Sequence, residues 1–413
     1  MKIALISINA HTKVLNFASP LHTYVFQQFL LDNGIQTTIV DYKPVYFKNF
    51  DVEHPLFYYI DHPCKDEAKQ KDMLKRWKDL FYEREARYRR FEEFIEKYYK
   101  KTKKCYNAKV LDRKDMGFDC YICVTDVIWS IDPSAKDFDM GFLLNCKSME
   151  GKKKIAYSAS RGARTYKPEQ AETFFAAISD IDFISVREES LKTYIESGLD
   201  VPVTRVLDPV FLKDKDFYSN LAMQPEKQDY VLIYTVMEKG EPIAKLAVDY
   251  AKEHNLKVID ISDRPAEIDL PEGVTYEYRY DIGVEEWLGY MEKATCIFTN
   301  SFHCGCFSVI FEKEFYMGKR GGDKVDCLLE TFGLNHRRFE EDSTLADLDE
   351  SPIDFASVRV IRAEWIQKSK DYILNAIHYL EEHPHQNHSD HRKVLPESIT
   401  SMRQRFKEKF AET

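Results

Sequence analysis

The stretch Ala294–Tyr316, ATCIFTNSFHCGCFSVIFEKEFY, decides the fold. Cys296, Ile297 and Phe298 make a short apolar strand that stops at Thr299 and Asn300. A polar turn with Ser301 and His303 follows, and Phe307 to Phe311 then has the composition of a helix packed against a sheet. A strand that feeds a helix through a polar turn belongs to a parallel sheet, with the turn at its carboxyl edge, where open α/β folds bind ligands. Asn300, Ser301, His303 and Gly305 bring an amide, a hydroxyl, an imidazole and a bare backbone position to that edge. Such a set can polarise and protonate a small anionic substrate. The same residues also suit a buried strand end whose histidine merely caps a helix, and the motif alone does not separate the two readings.

Working outward, the same alternation recurs. Lys2–Ser7 reads as a strand, His22–Leu31 as a helix closed by Asn33-Gly34, and Gln36–Tyr42 as the next strand, a β–α–β unit with a right-handed crossover. Further strands end in polar turns: Asp119–Val124 at Thr125-Asp126, Lys154–Ser160 near Arg161-Gly162, Phe183–Val186 at Arg187-Glu188, and Val203–Val206 before Leu207-Asp208-Pro209. Lys213–Gln228 is polar and reads as a linker, and a second series begins at Tyr230 with YVLIYTV. The expected fold class is therefore α/β, with two Rossmann-like doubly wound domains facing across a cleft. The expected domains are residues 1–222, with a helical insertion at about 51–118, and residues 228–362. Residues 363–413, a long helix and a polar tail with His383, His385, His388 and His391, are expected to pack back on the first domain.

Glu67–Lys104 reads as one long charged helix with Trp77, Leu80, Phe81, Tyr88, Phe91 and Ile95 on its packed face. Its basic face is expected to be solvated, with peripheral contact to an anionic membrane as the sharper alternative. The chain has 413 residues and a formal net charge of -10, which argues against nucleic-acid binding. Nine cysteines without a disulfide rhythm point to a reducing compartment. Cys120 and Cys123, in the strand-like run FDCYICV, point to opposite faces and cannot share a metal. A zinc at Cys304 and Cys306 lacks a second ligand pair. The opening MKIALISINA is too short in its apolar part for a secretion signal, and no run is long enough to span a membrane, so a cytoplasmic location is expected.

Five ordered blocks between about Met1 and Arg338 resemble the polysaccharide pyruvyl transferase family. NFASPLHTYVFQQFLLDNG from Asn16 is similar to its amino-terminal pattern, with Ala18 where glycine is usual. VTDVIW keeps Asp126 and Trp129 but has Val127 where glutamine is usual, and KIAYSASRG resembles the block that follows it. ISVREES and VLDPVFL resemble the serine-valine-arginine-glutamate and aspartate-proline blocks. TNSFHCGCFSVIFEKEF resembles the serine-phenylalanine-histidine-glycine block, with Cys304 for glycine, and Ser301 stands where some members carry an arginine.

The resemblance implies a fold similar to the two-domain GT-B glycosyltransferases. It also implies transfer of pyruvate from phosphoenolpyruvate to a sugar or lipid-linked glycan, as a cyclic ketal. In that chemistry His303 is the expected acid–base group and Asp126 the carboxylate that deprotonates or holds a sugar hydroxyl, unless Asp126 only caps a helix. Arg187 is the first choice for the donor's anionic groups, with ion pairing to Glu188 or Asp208 as the alternative. Lys324 is second and Arg338 third. Ser301, Asn300 and Asn16 are expected to line the cleft, and His22 to be a helix residue near it. Trp129 either stacks on a sugar face or sits in the core. No metal or other cofactor is required, since fixed cations can neutralise the phosphate. A nucleotide-sugar glycosyltransferase and a non-catalytic sugar-binding member are the competing readings.

Overall fold

The structure, a computed structural model, describes residues 1–8, 14–47, 49–133, 135–236, 240–319 and 321–393. The strands of the first half are short and apolar on both faces, the pattern of a parallel sheet covered on each side by helices. They are β1 Ile3–Ile6, β2 Thr37–Tyr42, β3 Lys101–Tyr106, β4 Cys120–Asp126, β5 Lys153–Ala159, β6 Phe183–Val186 and β7 Val203–Arg205. All pairs are parallel, in the order β3-β2-β1-β4-β5-β6-β7.

The second half repeats the arrangement with β8 Tyr230–Tyr234, β9 Lys257–Asp260, β10 Tyr276–Tyr278, β11 Cys296–Thr299, β12 Glu314–Gly318 and β13 Arg338–Phe339. These are again parallel, in the order β10-β9-β8-β11-β12-β13. The two doubly wound sheets read from the sequence are thus present. One apolar cluster, with Phe17, Val124, Tyr218, Trp287 and Phe307, runs between the halves. Cys120 and Cys123 fall into different clusters, on the two faces of β4.

Two stretches differ from the sequence reading. Glu67–Lys104 is not one helix. A helix Glu67–Asp79 gives way at Leu80 to a second, Phe81–Tyr98, and Lys101–Tyr106 then forms the edge strand β3. The Gln27 side chain pins the entry to that strand, accepting from Lys100 N at 2.9 Å and donating to Lys100 O at 2.8 Å. Lysines along an edge strand keep its open side from pairing with other chains. Lys213–Gln228 is also not all linker, since Asp214 caps a helix Lys215–Leu221 by accepting from Phe217 N.

The arginines of the helical arm turn inward. Arg84 and Arg87 are fully buried, Arg84 donating to Val52 O and Tyr280 Oη, and Arg87 lying over the Phe17 and Tyr280 rings. Arg76 pairs with Asp263 at 2.9 Å, and Arg90 with Asp281 and Glu286. These cations therefore clamp the arm onto the second domain.

The long helix Phe355–Glu382 lies across both halves. Arg362 donates to Val309 O, and Ser369 Oγ accepts from Leu207 N. Beyond it, His385 bridges Asp180 and Asp182, and His388 N donates to Ser179 O. Residues 394–413 of the polar tail, and residues 9–13 after the first strand, lie outside the described residues. The described cysteines are all free, and no described helix is long and apolar enough to cross a membrane.

Candidate functional site

In each sheet the strand order reverses at one point, between β1 and β4 in the first and between β8 and β11 in the second. Loops diverge there, and the carboxyl edge opens into a crevice. Asp126 ends β4, and Ser301 and His303 follow β11, so both switch points present polar groups to one space. Ser301 caps the helix Phe302–Phe311, its hydroxyl accepting from Cys304 N and its own N–H donating to Thr299 Oγ1. This carries His303 on the first turn, aimed back at the first domain. Asp126 has φ +61°, a left-handed conformation that aspartate tolerates better than most residues and that often marks functional turns.

A tight charge cluster lies behind the cleft. Arg187, almost wholly buried, donates from Nε to Glu188 at 3.1 Å, from Nη1 to Asp208 at 2.9 Å and from Nη2 to Asp126 at 3.1 Å, and its guanidinium lies over the Phe302 ring. Asp208 Oδ2 also meets His303 Nε2 at 3.3 Å. Burial opposes ionisation of both Asp126 and Asp208. His303 and Arg187 outweigh it, with Lys324 adding to the effect on Asp126, and hold both carboxyls well below their usual range. His22, beneath the cluster, stacks near His303 with ring centres 5.7 Å apart, and burial lowers its pKa to about 4 despite the opposing charge of Asp208.

The cleft itself is a cavity of about 490 Å³. Asp126, Ser301, His303, Lys324 and Asn16 line it, as read from the sequence. Asn16 also accepts from Ala18 N through Oδ1, which shapes the entry to the helix Ala18–Asp32. The cavity has two characters. Arg161, Arg164 and Lys324 line it, and so do Tyr42, Tyr46, Phe47 and Phe142. Arg161 lies over the Tyr166 and Tyr194 rings, and among the described residues neither Arg161 nor Arg164 pairs with a carboxylate. The loop carrying them closely approaches the second domain: a Cβ on Gly322, where φ is +84°, would lie 3.1 Å from Ala163 Cα.

Four sequence-predicted residues take other roles. Trp129 is fully buried, donates from Nε1 to Phe142 O at 3.2 Å and packs edge-on against Phe174, so it presents no face to a sugar. Asn300 is buried and accepts from Val236 N, tying the ends of β11 and β8 together. Arg338 pairs with Asp326 and Glu340, away from the cleft. Arg187 takes the ion-paired arrangement given as the alternative, its guanidinium answering Asp126, Glu188 and Asp208. It positions Asp126 and Asp208.

The sequence reading missed Arg161 and Arg164 as cleft cations and Asp208 as the partner of His303. The first two had a signal, the strand end Arg161-Gly162 beside the other polar turns. Asp208 had only its place at the end of a strand.

The family model for polysaccharide pyruvyl transferase matches residues 21–317 of the chain. Among curated proteins, no match is found. A provisionally assigned UDP-N-acetylglucosamine 2-epimerase from Listeria monocytogenes is similar in structure, with a TM-score of 0.50 at 10% identity, over 94% of this chain and 98% of that one. A UDP-GlcNAc 2-epimerase from Neisseria meningitidis scores 0.44 at 12% identity, covering 93% and 100%. The glycosyltransferase SnogD from Streptomyces nogalater scores 0.41 at 11% identity, covering 93% and 99%. The two parallel sheets and interleaved helices are of the GT-B type, and at these identities the likeness concerns fold alone.

Proposed function

The chain belongs to the polysaccharide pyruvyl transferase family, and we propose that it transfers pyruvate from phosphoenolpyruvate to a sugar as a cyclic ketal. The observation that carries this reading is one cavity lined by His303, which Asp208 backs from behind, and by Arg161, Arg164 and Lys324. The donor has a phosphate and a carboxylate, and three cations match that charge. The aromatic residues of the lining suit the apolar face of a sugar ring.

In this reading His303 protonates the donor's methylene carbon, which becomes a methyl group. The central carbon gains oxocarbenium character, and two sugar oxygens bond to it as its bond to the phosphate oxygen breaks. Of the two hydroxyl protons released, one restores the proton that His303 gave and the other leaves with phosphate. An imidazole titrates across neutrality and can serve both directions. Asp208, held ionised, orients the ring. Asp126 takes or holds a sugar hydroxyl at the mouth of the cleft. The cations offset the charge growing on the leaving phosphate and stay in place throughout.

The direct test is phosphate release from phosphoenolpyruvate with candidate glycan acceptors, with calorimetry of donor binding beside it. Donor binding that vanishes in an Arg161→Ala, Arg164→Ala double variant supports the reading. Binding of a nucleotide sugar and none of phosphoenolpyruvate, with acceptor present, would favour the glycosyltransferase reading instead.

A further inference from the structure

We propose that His22, Asp126 and His303 form a site for a divalent cation of the zinc class, overlapping the acid–base histidine. One ligand atom from each lies within 4.8 Å of the others. Ligands around zinc at 2.0–2.1 Å are roughly 3.4 Å apart, so small side-chain rotations would close the set. Two imidazoles and a carboxylate with one side open to the cleft match a three-ligand zinc centre that keeps a fourth position free.

The second observation is His22 Nε2, which is wholly buried and has no hydrogen-bond partner. A buried nitrogen left so is costly and calls for an occupant. Its other ring nitrogen, Nδ1, lies 3.2 Å from Thr23 Oγ1, so Nε2 is the ring atom left without a partner. Asp208 on His303 Nε2 supplies the carboxylate that commonly backs a metal-bound histidine, leaving Nδ1 for the cation. The charges agree, since Asp126, Glu188 and Asp208 together face only Arg187 in the cluster, with Lys324 acting on Asp126.

The overlap has a consequence that rests on the transfer reading above: a cation on His303 removes it from proton transfer, so loading and turnover exclude each other. The experiment is a cobalt(II) titration of the full chain, followed in the visible spectrum and chased with zinc. The expected result is the intense absorption of four-coordinate cobalt, lost on adding zinc, with affinity about 100-fold weaker in His22→Gln. Thr23→Val removes the hydroxyl beside His22 Nδ1, together with its bonds to Ser7 Oγ and Ser19 O, and is expected to weaken binding roughly 10- to 100-fold. It carries the test should His22→Gln fail to fold. A faint spectrum of solvated cobalt, or affinity unchanged in Thr23→Val, would overturn the site. Full turnover at full zinc occupancy would overturn the overlap. Absence of turnover in metal-free and loaded protein alike counts against the transfer reading and leaves the cobalt spectrum to judge the site.

Discussion

His303 and Asp208 meet at 3.3 Å although 95 residues separate them and they belong to different sheets. One sits on the first turn after β11 and the other follows β7, so the pair exists only when the two domains are closed on each other. Asp208→Asn keeps a hydrogen-bonding oxygen but removes the carboxylate that orients the His303 ring. Phosphate release from phosphoenolpyruvate is expected to fall by roughly 100-fold or more, with donor affinity by calorimetry much less affected.

Arg187 holds three carboxylates, and removing it leaves them buried against one another. Arg187→Met is expected to destabilise the protein by about 3–5 kcal/mol in urea unfolding. A variant of native stability that only loses donor affinity would restore Arg187 as a donor ligand.

Arg164 faces the cleft without a carboxylate partner among the described residues. Arg164→Ala is expected to weaken phosphoenolpyruvate binding roughly 10- to 100-fold, the range for one charged hydrogen bond, while leaving the melting temperature within error. The wild-type affinity is expected to fall as salt is raised.

Arg76 reaches from the helical arm to Asp263, whose carboxyl it helps to hold below the usual range against the cost of burial. Arg76→Ala strands that carboxylate. A loss of about 3 kcal/mol is expected in urea unfolding, with Arg76→Ala, Asp263→Asn less affected than the single arginine change.

His385 bonds Asp182 at 3.0 Å and Asp180 at 3.1 Å, first through these hydrogen bonds and then through charge, and its pKa rises to about 9 from an ordinary 6.5. A raised folded-state value stabilises fully below pH 6.5 and is lost as pH climbs through 9. The melting-temperature gap between wild type and His385→Ala is therefore expected to be widest near pH 6 and to close above pH 9. A gap that widens with pH would refute this clasp.

The alternation of apolar runs and polar turns made both sheets legible, because each strand is buried on two faces and ends abruptly. Asp126, Ser301 and His303 were legible for the same reason, as polar residues where apolar runs stop, whereas Lys324 was suggested only by the family resemblance. For Arg187 the sequence left a donor ligand and an ion pair with Glu188 or Asp208 open; both pairs form, and Asp126 joins them from a segment whose approach no sequence shows. Trp129 follows a strand end just as a cleft residue would, and only the packing of Phe174 and the carbonyl of Phe142 send it inward. The arm was misread through its arginines. Helical periodicity assigns charge to solvent, whereas Arg84 and Arg87 find their acceptors and aromatic faces on the other domain.

The arm of the first half grips the second, and the helix Phe355–Glu382, which follows the second half in the chain, lies along the first. Each half thus holds a limb of the other, and cohesion does not depend on the peptide that joins them near residues 222–229. A protease cut in that joining segment would leave one particle of two interlocked fragments. The chain could also be produced as two polypeptides that assemble their cleft on mixing.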